Sequence, residues 1–137
     1  MYRNIAFLFL LLVPSGCWYD QDGRCPSYSM SAFEAVEQDI RTQYGPVTDD
    51  VLNDLELTCT HFVKTLPGEL FQIGGVAYPP NEIELRIYPT LRMTAYVHEV
   101  IHLIKWQQHE TVDPDHANGE GPWTEADDEF IFSVWGI

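Results

Sequence analysis

At 137 residues, with 45% hydrophobic and 13% aromatic content, the chain is one domain's worth of sequence and can pack a core without oligomerising, so a monomer is expected. Seven basic residues against twenty-one acidic ones give a formal net charge of −14, which argues against a nucleic-acid partner. Acidity of this degree serves solubility, and could favour cationic substrates.

The chain opens with MYRNIAFLFLLLVPSGC. Arg3 precedes an apolar run over residues 5–13 and small residues follow before Cys17, the pattern of an export signal over residues 1–16. The run is about half of the ~20 apolar residues that a membrane-spanning helix needs, so a permanent anchor helix is the weaker reading. PSGC resembles the lipobox of bacterial lipoproteins, which implies a lipid on Cys17 and Cys17 as the mature N-terminus. Pro14 stands where that family carries an aliphatic residue, with Val13 one step further out, and ordinary secretion with cleavage near Gly16 is the alternative. Trp18 is not the aspartate that resembles an inner-membrane retention signal, which favours the outer membrane or the cell surface. Membrane contact is then expected through the N-terminal lipid only. With Cys17 set aside, Cys25 and Cys59 remain as an even pair in an oxidising compartment, and a disulfide between them is expected.

Residues 17–30 are rich in turn formers and read as a tether, with the folded domain expected over 31–137. SAFE, residues 31–34, is a capping box, and Phe33, Val36, Ile40 and Tyr44 recur at helical spacing until Gly45 and Pro46, predicting a helix over 31–44. The next stretch divides into a helix opening near Thr48 and an extended segment where threonines, Phe62 and Val63 gather. After Pro67 and Gly68 the chain reads as extended, with a turn at Gly74 and Gly75. Ile83, Leu85 and Ile87 alternate with Glu84, Arg86 and Tyr88 as in a half-buried strand, ended by Pro89. A long helix is predicted over 91–108, then a loop broken at Asp113 and Pro114. A last helix has Thr124 as N-cap, acids in its first turn, and Phe130, Ile131, Val134 and Trp135 as its apolar face.

The long helix carries YVHEVIHLI, residues 96–104. His98 and His102 project from one helix face a single turn apart, about 6 Å, which lets two imidazole nitrogens reach one zinc ion at about 2.1 Å. Glu99 is turned about 100° from His98, off the ligand pair but within reach of a water at the metal, where a general base belongs. At this chain's own frequencies the H-E-x-x-H pattern arises by chance in about one such sequence in a hundred. Val100 and Ile101 at the intervening positions suit a buried active-site helix rather than a solvated one.

This stretch resembles the zincin metallopeptidases. The resemblance spans residues 82–130 and implies a small zincin-like α+β domain, with a short antiparallel or mixed sheet packed on the long helix. It further implies Zn2+ held by His98 and His102, Glu99 polarising water for attack on a peptide carbonyl, and the strand over 82–88 as the edge along which substrate pairs.

His116 is the first candidate for a third ligand, in a loop that follows a proline and precedes Gly119 and Gly121, so the chain can fold back. Glu125 is the second, with Glu129 one turn on, resembling the gluzincin pattern; there Glu129 replaces the usual aspartate and Thr124 the usual asparagine. Asp115 and Glu120 are lesser candidates, and Asp115 could instead orient a ligand histidine. His109 lies about 16 Å further along the helix, too far to share the ion. The metzincin pattern fails, because Lys105 and Gln108 occupy its glycine and histidine positions. An EF-hand fails on Ala117 and Asn118. His61 reads as an isolated core or surface histidine, and Tyr78, Tyr88 and Tyr96 as packing residues.

Two functions follow. One is a zinc peptidase that cleaves peptides or envelope proteins; the other is a non-enzymatic zinc-binding lipoprotein of the envelope acting as a binding module. Glu99 favours the first, since a structural site has no use for a base beside an open coordination position.

Overall fold

The computed structural model describes residues 23–60, 74–86, 93–111 and 121–134, and within them four helices and a three-stranded mixed sheet form an α+β fold. Helix α1 spans Ser27–Tyr44 and starts directly after Pro26, four residues before the expected Ser31. Pro26, with extended ψ of 138°, is the break that sets the start; Ser31 and Glu34 sit exposed inside the helix, so SAFE does not act as its capping box. The folded part also reaches back further than the expected tether allows. Gly23 accepts a hydrogen bond from the Cys59 amide at 2.8 Å, and a Cys25–Cys59 disulfide fastens the same segment. Helix α1 ends at Gly45, whose φ of 75° suits a glycine, with its amide on the Arg41 carbonyl.

Helix α2, Val47–Leu52, and strand β1, Glu56–Thr60, divide the ambiguous stretch as expected, helix first. Strand β2, Gly75–Tyr78, takes Gly75 into the sheet rather than into a turn, and the reversal falls instead at residues 79–81, before strand β3, Glu82–Arg86. The strand order is β1-β3-β2, with β3 parallel to β1 and antiparallel to β2. The segment expected to form an edge is therefore central. Alternation of Ile83 and Leu85 with charged residues reports one buried face, and both are fully buried, but it carries no information on lateral neighbours.

Helix α3, Met93–His109, runs through the middle of the protein. From Tyr96 to Lys105 every residue but His98 is buried, which is the behaviour of an all-round apolar helix. Phe33 and Ile40 of α1, Val51 of α2, and Ile83 and Leu85 of β3 pack around it. Helix α4, Glu125–Ser133, closes the other side with Ile131 and Val134, starting after Thr124 as expected. No helix among the described residues is long and apolar enough to cross a membrane. The export signal and Cys17 lie outside the described residues.

Candidate metal centre

The i, i+4 spacing on α3 brings His98 and His102 together as helical geometry requires. Their Nε2 atoms lie 3.1 Å apart, with ring centroids at 4.8 Å and planes at 72°. Two nitrogens about 2.05 Å from one tetrahedral ion stand roughly 3.3 Å apart, so the pair fits two corners of a zinc site to within a few tenths of an ångström.

Glu99 points to a different neighbour. It is 7% exposed, and burial pushes its carboxyl up to about 7, while a hydrogen bond from the Ala77 backbone pulls the other way. That bond follows from the sheet register. The Arg86 amide donates to the Gly74 carbonyl at 2.9 Å, which makes Gly74 and Arg86 a hydrogen-bonded pair in the antiparallel ladder. Residues one and three further along β2, Gly75 and Ala77, then turn their amides away from β3, toward the edge that pairs with no strand among the described residues. Gly75 makes room for the approach. A Cβ there would lie 2.9 Å from Glu99 Cγ and 2.8 Å from Leu85 Cδ2. Tyr78, on the opposite face of β2, is close enough for the charges of Glu84, Glu82 and Glu99 to add to burial in raising its hydroxyl pKa. Tyr96 serves the core instead, stacked on Phe33 at 4.2 Å with its hydroxyl donating to Glu37 at 3.0 Å.

The third expected ligand is not brought to the pair by the described residues. Among them no group of three His, Cys, Asp or Glu side chains is placed to hold a metal, so Glu125, exposed at the start of α4, does not join His98 and His102. His109 is exposed at the end of α3. His116, Asp115 and Glu120 lie outside the described residues, as do His61 and Tyr88.

Three features of the site are absent from any ligand motif. The Trp123 ring lies 4.9 Å from the His98 ring and 4.8 Å from the His102 ring, and its Nε1 donates to Asp128 Oδ1 at 3.0 Å. Lys105, three residues beyond His102, is buried against Asp127 of α4 at 2.9 Å. Gly75 and Ala77 cradle Glu99 from an adjacent strand. A lysine inside an otherwise apolar helical run is a signal that a partner acid exists, because a buried charge must be paired. The tryptophan and the glycine had no such signal, since their contacts with His98, His102 and Glu99 are long-range. Comparison with family models, with curated proteins and with solved structures finds no match for this chain.

Proposed function

We propose that the chain is a zinc-dependent peptide hydrolase of the cell envelope, with Glu99 as its general base. The observation that carries this reading is the conjunction on α3 of two converging Nε2 atoms with an adjacent buried carboxyl whose pKa is near 7. Burial that raises the carboxyl above the ordinary carboxylate range makes Glu99 a better proton acceptor than an exposed glutamate, which suits a residue that acts first as base and then as acid. A pair of histidines that merely filled the core would not need a carboxyl desolvated beside it.

In this reading His98 and His102 hold the ion and His116 completes the set. Zinc, when bound, supplies Lewis acidity toward the carbonyl and makes water a competent nucleophile near pH 7. Glu99 takes the proton from the attacking water and passes it to the leaving amine. The Ala77 amide holds the carboxyl while it does so. Substrate backbone adds to the outer edge of β2 at Gly75, not to β3, because β3 is paired on both sides and the Ala77 amide of that edge is engaged by Glu99. The zincin-like arrangement of helix and edge strand is proposed on this juxtaposition alone.

Export over residues 1–16 and lipidation of Cys17 would place the domain at the envelope. Replacing Cys17 with Ser should release the protein from the membrane fraction; if the wild-type protein is never there, ordinary secretion replaces the lipoprotein reading. The activity is tested by zinc content of the purified protein together with hydrolysis of a broad peptide library. Bound zinc with no cleavage by the wild type would instead support the binding-module function.

A further inference from the structure

We infer that Trp123, locked by Asp128, is a positioning residue that fixes the rotamers of both imidazoles so that their Nε2 atoms converge before any ion arrives. The inference rests on the metal reading of His98 and His102. It starts from a conformational problem. The χ2 torsion of a histidine is broad and roughly two-fold, so helical spacing places two ring centres side by side without aiming either ring. Convergence of two Nε2 atoms at 3.1 Å needs something that discriminates between ring orientations.

Trp123 touches both rings at once. Its indole plane is tilted by 45° to His98 and by 40° to His102, at nearly equal centroid distances of 4.9 and 4.8 Å. It is 6% exposed, and its own rotation is stopped by the indole N–H on Asp128. The next residue, Thr124, donates from its backbone to Asp127, which is paired with Lys105 on the helix that carries the histidines. The indole is thus fixed to α3 through α4 rather than hanging from a loop. A wall of this kind lowers the rotamer entropy lost on ligation, and groups that orient metal ligands without touching the metal contribute about 10- to 100-fold in metal affinity.

Co2+ titrated into the metal-free full chain provides the test, read by its d–d absorption, alongside NMR of the histidine ring protons before metal is added. Trp123→Leu is expected to weaken Co2+ binding by about 10- to 100-fold and to alter the band shape. Trp123→Phe should recover part of the loss. Asp128→Ala changes an exposed residue and should leave the circular dichroism of the metal-free protein in place, with Tm lowered by the loss of one partly buried hydrogen bond, while the imidazole signals average and the affinity falls. Wild-type binding in folded Trp123→Leu overturns the inference. If that variant does not fold, unchanged Co2+ affinity and unchanged ring signals in Asp128→Ala overturn it. A wild-type protein that takes up no Co2+ removes the metal reading itself, and this inference with it.

Discussion

Lys105 Nζ and Asp127 Oδ2 meet 2.9 Å apart with both side chains almost fully enclosed. The same carboxylate accepts from the Tyr44 hydroxyl at 2.7 Å, from the Thr124 amide at 2.7 Å and from the Thr124 hydroxyl at 2.9 Å. One acid therefore ties the end of α1 and the middle of α3 to the start of α4, and the start of α4 is where Trp123 enters the site. Asp127→Ala should destabilise the protein by about 3–5 kcal/mol, because it strands a buried ammonium and removes three further bonds. Lys105→Met should be milder, since Asp127 keeps its Tyr44 and Thr124 donors. Urea denaturation at neutral pH measures both, and a loss below about 1 kcal/mol in Asp127→Ala would mean that solvent screens the pair as it does a surface one.

Asp127 also fixes an acid limit. Burial alone would raise its pKa, but the hydrogen bonds from Tyr44, Lys105 and Thr124 outweigh that and hold it below the ordinary value of 3.8. For a depressed carboxyl the stabilisation is complete above the unfolded pKa and disappears as pH falls through the folded one. Wild-type stability should therefore decline below about pH 4 more steeply than that of Asp127→Asn, which has no such proton to gain. Parallel decline in both proteins would assign the acid sensitivity to other carboxylates.

How much of this was legible follows from what each signal measures. His98, Glu99 and His102 could be placed together from spacing, because a helix converts sequence separation into a rotation with no further information. The α2 to β1 division, α3 and the Thr124 start of α4 were readable for the same local reason. Strand neighbours were not. Ile83 and Leu85 announce a buried face, yet whether β1 or solvent lies beside β3 depends on a pairing between residues 56–60 and 82–86 that alternation does not encode. The start of α1 was misplaced because SAFE satisfies a local capping rule, whereas the disulfide and the Cys59 to Gly23 hydrogen bond fasten residues 23–26 to β1 and let the helix begin at once after Pro26. Trp123 and Gly75 stayed silent because the contacts that matter to the site, Trp123 with His98 and His102 and Gly75 with Glu99, join residues more than 20 positions apart.

The Cys25–Cys59 disulfide spans 34 residues of sequence. On the chain-entropy account a loop of that size contributes roughly 3–4 kcal/mol, so Cys25→Ser should lower stability by about that amount and free Cys59 for alkylation. In never-reduced wild-type protein neither thiol should react until a reductant is added. Free reaction of both would show that the protein does not carry the bond.

Gly75→Ala isolates the cradle of Glu99, the general base in the proposed function. The added Cβ would sit within 3.0 Å of Leu85 Cδ2 and Glu99 Cγ and 3.2 Å from the Glu84 carbonyl, so Leu85 and Glu99 must shift. Overpacking of this kind costs about 1–3 kcal/mol. The expected pattern is lower kcat with zinc content unchanged, since the nearest atoms the added Cβ meets belong to Leu85, Glu99 and Glu84. Equal loss of zinc and activity would indicate that the strand supports the ligands as well as the base.

The ligand set separates metal binding from catalysis. His98 and His102 both donate to zinc in the proposed function, and a catalytic site needs at least three protein ligands, so alanine at either position should remove most of the metal, as should His116→Ala. Glu125→Gln should leave zinc in place, because the fold does not gather that side chain with the histidine pair. Glu99→Gln keeps the shape of the side chain and removes the proton acceptor, so zinc should remain near stoichiometric while turnover drops by about 10²- to 10⁴-fold. Elemental analysis across the five variants, with kcat on one cleaved peptide, reads every arm. Zinc retained in His116→Ala and lost in Glu125→Gln would move the third ligand to α4 and require that helix to shift on binding. Full activity in Glu99→Gln would remove the hydrolytic mechanism, because that mechanism assigns the proton transfer to Glu99 alone.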